Sequence, residues 1–345
     1  MKRLTVIVAM VSAIALSGYS QVVPSLGSFE TTFDSFMQGV ASTITLNSLA
    51  GSNWSDAYVG GFPHLGLGLT VATTFAKTDA TSQIFSLFGA GLPSSVTSVV
   101  NSLGLPVPAA AGSFKIGLPF IPLDIGIKGG YIPASVGNAL KSSTGVGMSY
   151  ENIGLTVRYA LVKQNLILPN VSIGASYDYL KGSLTVPTGI PTPSINVPDP
   201  TGANPSGYNI SMTDPDLDLY WTSNTFDFNV QVSKTLLFFL TPYLGAGYTL
   251  GTSSFSGGLS SNITTNYPGT LDQLESLLSQ HGVSVPFNNA GINYSSTVTT
   301  PVLRLYGGLA LNIVLVRLDF QAIFVPAMGN QSQAFGAAAT ARLQF

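Results

Sequence analysis

Apolar and polar residues alternate with a period of two along most of this chain after its first 20 residues. In 225–232 (TFDFNVQV) apolar residues alternate with Asp227, Asn229 and Gln231, and 316–324 (VRLDFQAIF) repeats the pattern. Such alternation is typical of β-strands with one apolar and one polar face. We predict ten strands, at roughly 64–76, 113–119, 122–132, 143–162, 170–185, 217–233, 239–254, 297–312, 315–328 and 334–345.

The connections between these segments alternate in length. Four are long, at 77–112, 133–142, 186–216 and 255–296, and those between them are short. Outer-membrane barrels have an even number of antiparallel strands, short periplasmic turns and long extracellular loops. We therefore predict an all-β fold, a transmembrane antiparallel β-barrel of about ten strands (range about 8–14) with short helices in its outer loops. Alternation alone also fits a soluble β-sandwich.

Composition supports a membrane-embedded barrel. Charged residues make up 8% of the 345 residues and apolar residues 45%, with a mean hydropathy of +0.38, whereas soluble domains carry about 25% charged residues. After the first 20 residues no apolar run reaches the roughly 20 residues that a spanning helix needs. We expect the bacterial outer membrane, and its lipid as a partner.

Charge and residue counts exclude several kinds of chemistry. The net charge is -2, which argues against binding nucleic acid. The absence of cysteine excludes disulfides and thiolate ligands, and two distant histidines do not make a metal cluster. We expect no catalytic residue, no metal, no cofactor and no enzyme activity.

The first 56 residues differ from the rest of the chain. Residues 1–20 have a positive start, an apolar centre and small residues near the end, as in a signal peptide. Residues 26–40 space apolar residues as a helix does. We expect 21–56 to be an N-terminal segment with a short helix, lying at the periplasmic mouth or plugging the lumen, and 57–345 to form the barrel.

Three local features refine this barrel. Within 143–162 the apolar residues change from even-numbered to odd-numbered positions, which predicts a β-bulge near Glu151 and Asn152. The alternative is two short strands joined by a turn at these two residues. Thr270 and Gln273 have the spacing of a capping box, which predicts a helix at 271–280 in the longest outer loop. The last strand ends in Phe345, which we interpret as the assembly signal that the barrel-insertion machinery reads.

Charged side chains opposite the apolar positions should face the lumen. A Lys or Arg that faces lipid costs about 2–4 kcal/mol at the bilayer midplane. These charges either line an ion-conducting pore or form a salt-bridged network that fills a narrow interior. The predicted lumen-lining residues are Asp124, Lys128, Arg158, Asp178, Asp227, Arg304, Arg317, Asp319 and Arg342.

Four stretches also carry a family resemblance. They are PHLGLGLTVATTF (63–75), PLDIGIKGGYIP (122–133), VRYALVKQNLILPNVSIGASYDYLKGSL (157–184) and SKTLLFFLTPYLGAGYTLG (233–251). Together they resemble a set of poorly characterised outer-membrane β-barrel proteins of spirochaetes and other diderm bacteria. This resemblance covers most of the chain after residue 20 and implies the architecture, without any catalytic residue.

The leading functional hypothesis is a channel or porin-like barrel that passes small solutes. One alternative is a surface-exposed adhesin or binding protein with a blocked lumen, whose extracellular ligand is unknown. A second alternative is a transporter of apolar ligands with an N-terminal plug.

Overall fold

The alternating segments form ten long antiparallel strands that close into one barrel. The computed structural model describes residues 26–76, 104–144, 146–187, 194–197, 199, 202, 204–212, 216–260, 263–280, 292–327 and 333–345. The predicted signal peptide at 1–20 lies outside the described residues.

Three helices and thirteen strands make up the described fold. The helices are α1 (Leu26–Ser48), α2 (Ala134–Thr144) and α3 (Leu271–Gln280). The strands are β1 (Leu65–Ala76), β2 (Leu105–Gly117), β3 (Leu123–Ile132), β4 (Gly147–Val162), β5 (Asn170–Pro187), β6 (Ser194–Val197), β7 (Tyr208–Met212), β8 (Asp216–Ser233), β9 (Leu240–Ser260), β10 (Ile263–Thr265), β11 (Ile292–Ile313), β12 (Val316–Val325) and β13 (Ala334–Gln344). No described helix has the length and apolar character needed to cross a bilayer.

Ten of these strands form the barrel, which β1 and β13 close. Around the wall the order is β1-β13-β12-β11-β9-β8-β5-β4-β3-β2. Leu65 and Phe345 exchange two backbone hydrogen bonds at the seam, of 3.1 and 2.8 Å. Strands β6, β7 and β10 form a separate small sheet. The predicted even-stranded barrel is confirmed.

The two ends of the barrel differ in the length of their connections. The short turns lie at the same end of the barrel as Leu65 and Phe345. They are 118–122, 163–169, 234–239 and 314–315. The longer connections, which include α2, α3 and the small sheet, lie at the other end. The short-turn end is therefore periplasmic and the long-loop end extracellular.

Side chains alternate sharply between the two faces of the wall. On β8, Phe228 is 57% exposed and its neighbour Asp227 is 1% exposed. Similar apolar side chains point outward on other strands and form a belt that faces lipid. This belt includes Leu69, Val71, Ile127, Ile153, Leu155, Phe226, Phe228, Leu244, Leu305, Leu309, Phe320 and Leu343.

The predicted bulge near Glu151 is wrong. Strand β4 pairs continuously with both neighbours there, and its one register shift falls between Ala160 and Val162. Tyr150 is buried, and it lies on the lumen-facing side of β4, which is polar nearer the inner end of the strand. The apolar parity changes because the lumen itself becomes apolar toward the outer end.

Strand β2 begins eight residues before the predicted start at 113. Its first part contains Pro106, Pro108 and a run of small residues at 109–112, so no alternation marks it. This part pairs with β1, whereas pairing with β3 begins at Gly112. Proline lacks an N–H and is tolerated at such a free strand edge.

A small extracellular unit has a core of its own. Tyr208, Ile210 and Leu274 pack together, and Tyr267 meets the ring of Tyr208 edge-on at 5.0 Å. The predicted capping box is present, since Thr270 and Gln273 hydrogen-bond reciprocally at 3.0 and 3.3 Å at the start of α3. The small sheet and α3 therefore form a folded outer cap.

Candidate functional site in the barrel lumen

Helix α1 lies inside the barrel. Asn47 hydrogen-bonds to Thr74 of β1 at 3.3 Å, and the next residue, Ser48, hydrogen-bonds to Thr225 of β8 at 2.9 Å. Strands β1 and β8 are five places apart in either direction around the ten-stranded wall. Two adjacent helix residues thus reach opposite walls, so the helix fills the central lumen.

The N-terminal segment descends the lumen from the outer end to the periplasmic end. Phe33 packs over Gly257 near the outer end of β9. Further on, Ser48 meets Thr225, Trp54 accepts a 2.7 Å hydrogen bond from Gln231, and Ala57 donates one of 2.8 Å to Ser233. The described part of this segment therefore runs along the lumen, with Phe33 nearer the outer end and Ala57 nearer the periplasmic end, and we call residues 26–61 the plug.

The lumen has an apolar outer layer and a polar inner layer. On β8 the lumen-facing residues run from Leu217, Leu219 and Trp221 at the outer end to Asp227 and Gln231 at the inner end. The plug follows the same division. Its aromatic and aliphatic residues, Phe33, Phe36, Met37, Val40 and Ile44, pack in the outer layer.

In the inner layer, wall cations bind backbone carbonyls of the plug. Lys115 donates to the carbonyl of Ser52 at 3.0 Å, and Lys128 donates to that of Ala50 at 2.8 Å. Arg158 donates to the carbonyl of Asp56 at 2.8 Å. These carbonyls follow α1, where the helix no longer supplies donors, so the cations satisfy them.

The plug also supplies a buried carboxylate, Asp56, which is 2% exposed. It forms ion pairs with Arg317 and with Arg342, the latter at 3.4 Å. When the amide oxygen of Asn53 faces Arg304, it accepts a hydrogen bond of 2.8 Å. Every cation named in the inner layer thus contacts the plug.

Trp54 anchors the same part of the plug. Its indole is 1% exposed and lies 4.6 Å from the Lys115 ammonium and 4.9 Å from the Arg342 guanidinium, at cation–π distance. The ring lies against Gly66 of β1, where a Cβ would be 2.1 Å from it. Glycine at 66 is therefore what lets this indole reach the wall.

The nine predicted charged residues all lie inside the barrel, and their side chains are mostly paired. Wall-to-wall ion pairs join Lys128 to Asp178 at 2.8 Å, Arg304 to Asp227 at 2.7 Å, and Arg158 to Asp124, with Nε to Oδ1 at 3.1 Å. Asp319 accepts a 2.7 Å hydrogen bond from Tyr243. The wall carboxylates hold the cations in position toward the plug.

Three residues that sequence reasoning missed complete this arrangement: Trp54, Asp56 and Lys115. The first two precede β1 and belong to no alternating segment, so nothing in the pattern marks them. Lys115 alternates with Phe114 and Ile116, and its parity places it in the lumen. That signal was available in the sequence.

The charged state of Asp56 favours binding of the plug inside the lumen. Burial raises the pKa of Asp56, but the positive charges of Arg342 and Arg317 outweigh burial and hold the pKa well below its usual range. Asp56 lies in the plug, outside the strands that cross the membrane. Its contribution to plug binding is fully present above the usual carboxyl pKa, and it is lost only as the pH falls through the lowered value.

No family model matches the sequence, and no curated protein matches it. Among solved structures, the fold is similar to the translocator domain of the autotransporter NalP from Neisseria meningitidis, with 9% identity, 93% of this chain and 100% of that chain covered, and a TM-score of 0.34.

Two further similar structures are also bacterial outer-membrane barrels. One is Ail, the attachment invasion locus protein of Yersinia pestis, with 9% identity, 82% of this chain and 98% of that chain covered, and a TM-score of 0.28. The other is the Ralstonia pickettii toluene transporter TbuX, with 12% identity, 89% of this chain and 93% of that chain covered, and a TM-score of 0.26. All three TM-scores are below 0.5. The closed antiparallel barrel of this chain and its outward-facing apolar belt are the features of an outer-membrane β-barrel.

Proposed function

We propose that the protein is a plugged channel of the outer membrane, in which residues 26–61 control the passage of small solutes. The observation that carries the proposal is that the lumen cations clamp a segment of the chain that is separate from the wall. If the charged residues only stabilised the wall, the contacts from Lys115, Lys128 and Arg158 to plug carbonyls would not be needed.

Two small cavities lie beside the plug. One cavity, of about 20 Å³, is lined by residues of 46–53 together with residues of β1, β12 and β13, and another of about 40 Å³ lies beside the aromatic part of α1. Neither space admits a continuous stream of solute, so passage requires a shift of the plug. Its polar contacts are hydrogen bonds and ion pairs, which water can replace when the segment is displaced.

The nearly balanced lumen charge favours uncharged or weakly charged solutes. The described inner layer has five carboxylates, of Asp56, Asp124, Asp178, Asp227 and Asp319, against six cations, of Lys115, Lys128, Arg158, Arg304, Arg317 and Arg342. Opposite charges lie in contact, so the lumen has no extended field of one sign to select ions.

A reversible disulfide tests this proposal. The chain has no cysteine, and the hydroxyl oxygens of Ser48 and Thr225 lie 2.9 Å apart. In Ser48→Cys/Thr225→Cys, oxidation should tie the plug to β8 and abolish liposome swelling with small sugars or alcohols, and reduction should restore it. Ser149→Cys/Ser183→Cys, whose native oxygens are 2.6 Å apart on neighbouring wall strands, is the control. Swelling that survives the plug crosslink contradicts the proposal.

A second candidate function is surface binding, favoured by the folded outer cap. The unit built from β6, β7, β10 and α3 has its own aromatic core, which a connection serving only to join strands does not need. Removal of the cap should abolish attachment of bacteria to host or matrix material while leaving solute swelling intact. The resemblance to spirochaete and other diderm barrels fits either function.

A further inference from the structure

An apolar cavity lies beside α1 in the outer layer of the lumen. Phe33, Phe36 and Val40 line it from the helix, and Leu219, Trp221 and Phe255 line it from the wall. Its volume is about 40 Å³. One water needs about 10–15 Å³ on a comparable measure, so the space suits about three waters or one small organic molecule.

One residue that lines this cavity carries a buried polar group without a partner. Trp221 is 7% exposed, and among the described residues its indole Nε1 has no hydrogen-bond acceptor. The edge of the ring that bears Nε1 lies over Gly182, where a Cβ would be 2.7 Å from that nitrogen. An unsatisfied buried donor costs about 1–3 kcal/mol. An acceptor brought in by a ligand would remove this cost.

The surroundings limit the ligand to one chemical class. A charged solute would lose its hydration among phenylalanine, leucine and valine side chains without gaining an opposite charge. A purely apolar solute would leave the indole N–H without an acceptor. A small molecule with an apolar body and one acceptor satisfies both parts of the cavity.

We propose that this cavity binds a small uncharged solute with an apolar body and one hydrogen-bond acceptor, such as a small alcohol, with Trp221 donating to it. This inference rests on the plugged-channel proposal and names the class of its solute. The cavity lies in the outer layer of the lumen, next to the helix that must shift for passage.

Quenching of tryptophan fluorescence tests the site in the purified full-length protein. The probe is 4-bromobutan-1-ol, whose bromine quenches an indole on contact and whose hydroxyl oxygen accepts a hydrogen bond. Quenching should saturate with probe concentration, and unlabelled butan-1-ol should compete. The saturable part should disappear in Trp221→Phe, which leaves Trp54 as the one tryptophan. Bromide ion should give no saturable quenching, and 1-bromobutane should bind at least several-fold more weakly.

A cavity-filling variant locates the binding. Val40→Phe should abolish saturable quenching because the added ring occupies the cavity. If Val40→Phe does not assemble, Leu219→Phe is used in its place. Val71→Phe, which enlarges a lipid-facing residue 64% exposed, should bind normally. Linear quenching in all variants, or saturable quenching that survives filling, overturns the site. Equal binding of 1-bromobutane overturns the role of Trp221 as donor.

This titration measures binding at equilibrium and needs no flux. Saturable binding with no solute swelling would therefore leave the site standing and contradict the channel. Swelling without saturable binding would contradict the site and leave the channel standing.

Discussion

Replacing Asp56 by asparagine should release the plug while the barrel stays closed. The change keeps the shape of the side chain and removes the charge that Arg317 and Arg342 share. Removing one partner of a buried ion pair costs about 3–5 kcal/mol. Arg342 is fully buried, but the side chain of Arg317 is 24% exposed, so water compensates part of its loss. We therefore expect about 3 kcal/mol.

This free energy acts on the equilibrium between the seated and the displaced plug. Because about 1.4 kcal/mol changes an equilibrium constant tenfold, 3 kcal/mol raises the displaced population roughly a hundredfold. The wall keeps its strand pairing, so the heat-modifiable gel migration of a folded barrel should be retained. Single-channel recording in planar bilayers should show long open periods in Asp56→Asn where the unaltered protein opens rarely.

Acidity should reproduce this effect only at low pH. Since the pKa of Asp56 is lowered, the carboxylate stays charged in the seated plug through mildly acidic solution. Opening of the unaltered protein should rise only well below pH 4, and Asp56→Asn should lack this rise. Asp216→Asn removes a similar carboxylate from a rim ion pair with Lys141 and should behave like the unaltered protein. Unchanged opening in Asp56→Asn with an assembled barrel would refute the plug lock.

Three further predictions follow from the position of the plug and the faces of the wall. Trp54→Ala should destabilise seating by about 3–5 kcal/mol, the usual cost of such a truncation in a core, and should expose the plug to added protease in assembled protein. An epitope tag placed directly before Leu26 should be stained by antibody on intact cells, whereas the same tag inserted in the turn at 163–169 should require permeabilised cells. Phe228→Arg should impair assembly by about 2–4 kcal/mol because it places charge against lipid, whereas Thr222→Arg, near the outer end of the same strand, should be tolerated.

The barrel could be predicted from the sequence because alternation is a local signal. A strand with one face toward lipid and one toward the lumen repeats every two residues, and β8 shows this over its whole length. The same alternation predicts that the charged side chains of β8, such as Asp227, face the lumen. Where the signal was absent, as in the small residues and prolines at the start of β2, the boundary was wrong by eight residues.

The arrangement of residues inside the lumen could not be predicted from the alternation of apolar and polar positions. The change of parity at Tyr150 would indicate a bulge if the lumen were polar along its whole length, yet its outer layer is apolar. The contacts of Asp56 join residues 261 and 286 positions apart in sequence, and nothing local marks them. Helix α1 also runs eight residues beyond the predicted 26–40, through Thr43 and Thr45, because the surrounding wall buries these poor helix formers.

Disulfide crosslinking in bacterial outer membranes tests the central claim, that the N-terminal segment fills the lumen. Asn47→Cys/Thr74→Cys and Ser48→Cys/Thr225→Cys join adjacent helix residues to opposite walls, across native contacts of 3.3 and 2.9 Å. Both pairs should crosslink on mild oxidation and shift the gel mobility of the protein. Ser48→Cys/Val71→Cys, with one thiol facing lipid, should not. Failure of both lumen pairs in correctly assembled barrels would contradict the account.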